Sequence, residues 1–141
     1  MTPSRTPGEE GRPLPSPPSR PVHLPALRFA ATLGAIAVAG GAFGAHALRD
    51  HVPADRLAVW ETAARYHLVH AVVLLVLALL PSPPVLSQRL IGAGVCVFAG
   101  SLYLLVLLDQ PLLGAVTPIG GLLLISGWAS LAWTLRGPSA P

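Results

Sequence analysis

From Leu90 to Leu108 the chain carries no charged side chain, and a helix of that length approaches the ~20 apolar residues needed to cross a hydrocarbon layer about 30 Å thick. Three more apolar stretches lie at Ala26–Leu48, Ala71–Leu80 and Leu113–Leu135. Hydrophobic residues make up 52% of the 141-residue chain and charged ones only 11%, less than half of the roughly 25% found in a soluble domain. Water is therefore not the main solvent, and one compact unit is expected at this length.

Residues 1–25 hold eight prolines among Ser, Gly and Arg, a composition that buries too little apolar surface to offset the entropy of ordering. A disordered cytoplasmic tail is expected there. The first span is read at 26–48. Arg28 and Ala45-His46-Ala47 also resemble the flank and cleavage site of a secretory signal, but the apolar stretch exceeds the usual h-region of roughly 7–15 residues. From Arg49 to Tyr66 the chain turns polar. Pro53 is placed to start a helix on which Leu57, Trp60 and Ala64 share a face, and Glu61 and Arg65 stand in the favourable i, i+4 order.

This pattern predicts an interfacial amphipathic segment running into helix two, with Trp60 at headgroup depth. Ala71–Leu80 is too short to span alone, so helix two is extended upstream to 61–80, which draws Arg65, His67 and His70 to the bilayer edge or inside it. Pro81-Ser82-Pro83-Pro84 ends it, because proline lacks an amide donor and disfavours helix in the preceding residue. Helix three is read at 89–108 and helix four at 113–135, before Arg136-Gly137-Pro138 and a short tail at 137–141. The predicted fold class is thus an all-α membrane protein, a four-transmembrane-helix bundle over 26–136 with an interfacial amphipathic segment before helix two.

Four spans place both termini on one side. Arg5, Arg12, Arg20, Arg28, Arg89 and Arg136 then face one compartment and Arg49, Arg56 and Arg65 the other, which predicts cytoplasmic termini. The net charge of +3 and the pI near 10.0 come from arginines that flank the apolar runs without forming a stripe, so no nucleic-acid partner is expected. The lone Cys96 lies within an apolar run and is read as a small packing residue.

Small residues recur at close-packing intervals: Gly40 and Gly44, then Gly92, Cys96 and Gly100, then Thr117, Gly120 and Gly121. Such spacing lets helix backbones approach where lipid supplies no hydrophobic drive. With cytoplasmic termini, the polar residues of the spans gather toward the outer leaflet. This cluster comprises His46, Glu61, Arg65, His67, His70, Tyr103, Asp109 and Thr117, and ionisable groups at membrane depth default to a functional hypothesis. His67 and His70 share one helical face, with Glu61 and Arg65 on the other. Three imidazoles and Asp109 are chemically competent to hold a transition metal. No Cys-x-x-Cys or His-Glu-x-x-His pattern accompanies them, and interhelical hydrogen bonding is the commoner role of such histidines. No catalytic residue, metal or cofactor is assigned. Gly-x-Ser-x-Gly, P-loop and paired-aspartate patterns are missing. Ser101 beside Gly100 is read as a packing hydroxyl. Thr117-Pro118-Ile119-Gly120-Gly121 weakens the start of helix four, giving a bend or a discontinuous helix.

Gly40-Gly41-Ala42-Phe43-Gly44-Ala45-His46, Trp60-Glu61-Thr62-Ala63 with Arg65-Tyr66-His67 and His70-Ala71, Gly100-Ser101-Leu102-Tyr103 and Thr117-Pro118-Ile119-Gly120-Gly121 together resemble the YgdD-like family. This is domain-of-unknown-function family 423, which includes the eukaryotic transmembrane protein 256. The resemblance covers about Leu27 to Leu135 in order. The Pro-rich tail departs from it, as does His67, where glutamine is expected in many relatives. The resemblance implies a small four-helix inner-membrane protein, uncleaved at its N-terminus, with no assigned activity.

The leading functional expectation is a structural or accessory membrane protein acting by helix packing, as a homo-oligomer or within a larger complex. The alternative is a binding or transport module for a proton, metal or small solute at the polar cluster. An intramembrane enzyme ranks third.

Overall fold

Residues 23–136 are described by a computed structural model. The expected tail, as far as residue 22, and the short C-terminal tail at 137–141 lie outside the described residues. Helix α1 spans Leu24–Phe43, with Pro25 in its first turn, where a missing amide hydrogen leaves no helical bond unmade. It runs on through a single π-helical turn, Gly44–Leu48. Helix α2 spans Ala54–Ala78 behind Pro53. The polar segment before the second span is therefore the first turns of one continuous 25-residue helix.

Helix α3, Val85–Leu107, starts as soon as Pro84 is passed, four residues before the expected start. It ends in a left-handed residue, Asp109, with φ 50°, and the Gln110 amide donates to the Leu105 carbonyl at 3.2 Å. That is the six-to-one bond of a Schellman-type stop, with Asp in the place usually held by Gly. The expected fourth helix divides into a 3₁₀ turn at Pro111–Ala115 and α4 at Thr117–Thr134. Pro118 has no amide hydrogen to continue an α-helical ladder through this point. Bonds of 3.1 Å from Val116 to Leu113 and from Ile119 to Val116 bridge the joint instead.

The helices pack in chain order: α1 against α2, α2 against α3, α3 against α4. Among the described residues α1 and α4 do not meet, so α2 and α3 form the middle and the outer pair flank them. Burial follows this order, at 39% and 50% of residues in the apolar windows of the inner pair against 17% in each flanking helix. The outward faces, with Ile36, Val72, Leu122 and Ile125 among them, are apolar and exposed, as suits side chains solvated by lipid.

The closest approach is between α3 and α4. A Cβ at Gly120 would run into the backbone nitrogen and Cα of Phe98, one at Gly94 would lie 2.8 Å from the Leu124 nitrogen, and one at Gly127 2.6 Å from Ile91 Cγ1. Only hydrogen side chains let the two backbones come so near. Hydroxyls fasten this seam at both ends. Ser87 Oγ donates to Ser130 Oγ at 3.1 Å. Ser101 Oγ donates to the Phe98 carbonyl at 3.0 Å, which leaves Thr117 to donate to Ser101 across 2.8 Å.

Of the six glycines expected to serve packing, Gly40, Gly44, Gly92 and Gly120 do so closely, and a Cβ at Gly121 would lie 4.0 Å from the Phe98 ring. Gly100 corrects the expectation, since a Cβ there would meet nothing within 4 Å. It lies one position off the stripe formed by Ser87, Ile91, Gly94 and Ser101.

Candidate functional site

The candidate site lies where α1 finishes and α2 begins. Gly40 and Gly44, one helical turn apart, cut a notch in α1. Trp60 fills it. A Cβ at Gly44 would stand 2.5 Å from Trp60 Cδ1 and 2.7 Å from Nε1, so the indole edge occupies the space of the missing side chain. Nε1 donates to the Gly40 carbonyl at 2.8 Å. The ring is 5% exposed and is flanked by Phe43 at 5.5 Å and Tyr103 at 4.5 Å between centroids. Trp60 is therefore an interhelical rivet, its ring held against protein on α1 and α3. The glycine pair was visible in the sequence, but its occupant was not.

Tyr103 of α3 lies over the same notch, where a Cβ at Gly40 would approach its hydroxyl to 3.1 Å. The hydroxyl is 3.5 Å from His67 Nδ1, the outer limit for a hydrogen bond. His67 is 6% exposed, and its Nε2 is buried with no hydrogen-bond partner among the described residues.

His70, also 6% exposed, is fully engaged. Its Nδ1–H donates to the Tyr66 carbonyl at 2.7 Å, and its Nε2 accepts from the Trp128 indole at 3.3 Å. A carbonyl only accepts and an indole N–H only donates, so these partners select the tautomer with its hydrogen on Nδ1. Tyr66 stacks on His70 at 5.8 Å and leans on Phe98 at 4.6 Å. The two histidines thus share a helix face but do different things: His70 ties α2 to α4, while His67 keeps one nitrogen without a partner.

The expected eight-residue cluster does not assemble as a unit. His67 and His70 are buried and Tyr103 is half-buried between the helices, and Thr117 joins Ser101 on the α3–α4 seam. His46, Glu61 and Arg65 are exposed. The π-helical turn carries His46 outward, and Glu61 and Arg65 occupy the opposite face of α2 from the histidines. They make no ion pair with each other: among the described residues the salt bridge is between Arg56 and Asp109, 2.9 Å apart. Asp109 is thereby drawn to the surface, 83% exposed, where such a pair is worth about 0–1 kcal/mol. No three His, Cys, Asp or Glu side chains among the described residues converge into a metal-holding group. Cys96 is exposed on the outer face of α3.

The family described as "Protein of unknown function (DUF423)" matches residues 40–121. The chain belongs to the DUF423 family. A UPF0382 membrane protein of Staphylococcus aureus (strain bovine RF122) is 42% identical over 100 residues, covering 68% of this chain and 82% of its own length. The UPF0382 membrane protein YwdK of Bacillus subtilis is 42% identical over 106 residues, covering 68% and 86%. No solved structure matches. With four helices long and apolar enough to span and relatives named as membrane proteins, this DUF423 member is a multi-pass membrane protein resident in a lipid bilayer. The matched stretch opens on Gly40, whose carbonyl receives Trp60, and closes on Gly121. It therefore holds the whole Gly40–Trp60–His67–Tyr103 group, whereas Trp128 lies beyond it.

Trp60 and Trp128 as interhelical donors, and Gly94 and Gly127 as contact points, escaped the sequence reading. The glycines had a signal. Thr117, Gly120, Leu124, Gly127 and Leu131 recur at alternating spacings of three and four, the period of a helix seam, and Gly94 sits on the face of α3 shared with Ile91 and Ser101. The indoles had none, because which backbone or ring an N–H reaches depends on the fold.

Proposed function

We propose that this DUF423 protein is a structural or accessory component of the bacterial cytoplasmic membrane, acting by helix packing and carrying no catalytic centre. The observation that supports this most directly is that the intramembrane polar groups join helix to helix. Trp60 bonds α1, Trp128 bonds His70, Thr117 bonds Ser101 and Ser130 bonds Ser87. The open order of the helices leaves the outer faces of α1 and α4 available to a second copy or a larger complex. The arginine distribution supports cytoplasmic termini. The test is purification of the full chain, tagged at both ends, from native membranes in mild detergent. A defined oligomer or a stoichiometric membrane partner is expected, with both tags reachable only from the cytoplasmic side. A strictly monomeric chain that brings nothing with it, or tags on opposite faces, overturns this reading.

One observation favours a second reading, a binding module for a proton or small solute. His67 Nε2 is buried without a partner, and leaving a buried polar atom unpaired costs about 1–3 kcal/mol. A ligand or ordered water bonded there would relieve that loss. On this reading His67→Gln abolishes binding of the solute while the helices stay intact. Purified protein whose metal content, absorption spectrum and proton uptake match those of His67→Gln removes it.

A further inference from the structure

At the opposite end of the bundle from Trp60, α1 and α3 begin side by side but their backbones do not meet. The gap between them is a groove of about 520 Å³, within the range of roughly 300–1,000 Å³ typical of small-molecule sites. Phe29, Leu74, Gly92 and Ala93 give it an apolar wall, and Gln88 and Arg89 are the polar residues that line it. Gly92 keeps the floor low, since a Cβ there would press to 3.2 Å on the Phe29 ring.

The rim is built for an anion. Arg89 is exposed and has no carboxylate within ion-pairing distance among the described residues. Gln88 lines the groove, and its amide nitrogen is buried with no hydrogen-bond partner among the described residues. The first turns of α1 and α3 both reach the groove, and neither holds an acidic residue or a side-chain cap. Their free amide hydrogens therefore add to the positive potential. A cationic rim over an apolar trough, in a helix bundle standing in lipid, matches a molecule with an anionic head and a hydrocarbon tail.

We propose that the groove between α1 and α3 binds one anionic glycerophospholipid, its phosphate held by Arg89 and Gln88 and the upper part of one acyl chain lying on Phe29, Leu74 and Gly92. This site is separate from the Trp60–His67–Tyr103 end and does not depend on how that end is read. A free phosphate ion would use the rim and leave the trough empty, so the apolar wall argues for the lipid.

Native mass spectrometry of the full chain in detergent, titrated with phosphatidylglycerol, with phosphatidylcholine or with inorganic phosphate, tests the proposal. One phosphatidylglycerol is expected to remain bound at concentrations where phosphatidylcholine and phosphate do not. Arg89→Gln and Gln88→Leu are each expected to weaken retention about tenfold, the loss typical of a charge-assisted hydrogen bond. Arg136→Gln, which removes a cation outside the groove, is expected to leave retention unchanged. Arg89 and Arg136 are both exposed, so neither change threatens the fold. Equal retention of the two lipids, equal loss from Arg89→Gln and Arg136→Gln, or binding of phosphate as tight as that of the lipid overturns it.

Discussion

Gly120→Ala is expected to lower the stability of the bundle by roughly 1–3 kcal/mol, the range for forcing a methyl group into a packed interior. Gly100→Ala is expected to leave it unchanged or raise it by up to about 1 kcal/mol through helix propensity. The two changes add the same atom to two helices of one seam, so propensity alone predicts a gain at both. Surroundings decide the sign. At Gly120 the new carbon would overlap the backbone of Phe98, which has no rotamer by which to withdraw, so α3 and α4 must separate. Separation stretches the Thr117–Ser101 bond on the same turn and loosens the contact between Gly94 and Leu124. At Gly100 a methyl group enters open space. Unfolding by SDS titration in mixed micelles, followed by circular dichroism, reads both variants. Equal midpoints for the two would mean that the α3–α4 seam is not the contact described here.

The contrast between these glycines also marks how far the sequence could be read. Helix number and the polar stretch running into α2 followed from hydropathy and proline positions, because lipid thickness and the missing proline amide act locally. Which small residues carry contacts was legible only in part: the period of Gly120 and Leu124 points on to Gly127, which the sequence reading left out, whereas Gly100 satisfies a spacing rule and a Cβ there would meet nothing within 4 Å. The polar cluster failed for a related reason. Sequence places His46, His67, His70, Asp109 and Thr117 at similar depth, but depth does not fix azimuth around a helix axis. The π-helical turn after Phe43 rotates His46 outward, and the left-handed stop at Asp109 carries that carboxylate to Arg56. Neither irregularity has a residue signature strong enough to predict, since π turns and non-glycine left-handed residues are stabilised by their surroundings.

Trp60→Ala is expected to destabilise the protein by about 3–5 kcal/mol, the range for truncating a buried aromatic, and Trp60→Phe by about 1–2 kcal/mol or less, the value of an interhelical hydrogen bond in a membrane protein. The difference separates the two contributions of the indole. Alanine empties the notch between Gly40 and Gly44 and removes the ring on which Phe43 and Tyr103 rest. Gly40 and Gly44 then line a void that neither helix can fill without moving. Phenylalanine keeps most of the ring and loses the Nε1 donor. The Gly40 carbonyl still receives the Gly44 amide, so no acceptor is stranded and the loss stays small. A tryptophan anchored at headgroup depth behaves differently, because its ring lies against lipid, which closes over a truncated side chain without leaving a cavity. Equal, sub-kilocalorie effects of both substitutions in SDS titration would place Trp60 at the membrane surface and dissolve the α1–α2 rivet. The expected gap of several-fold between them requires the indole to be held inside the bundle, where Tyr103 is kept within reach of His67.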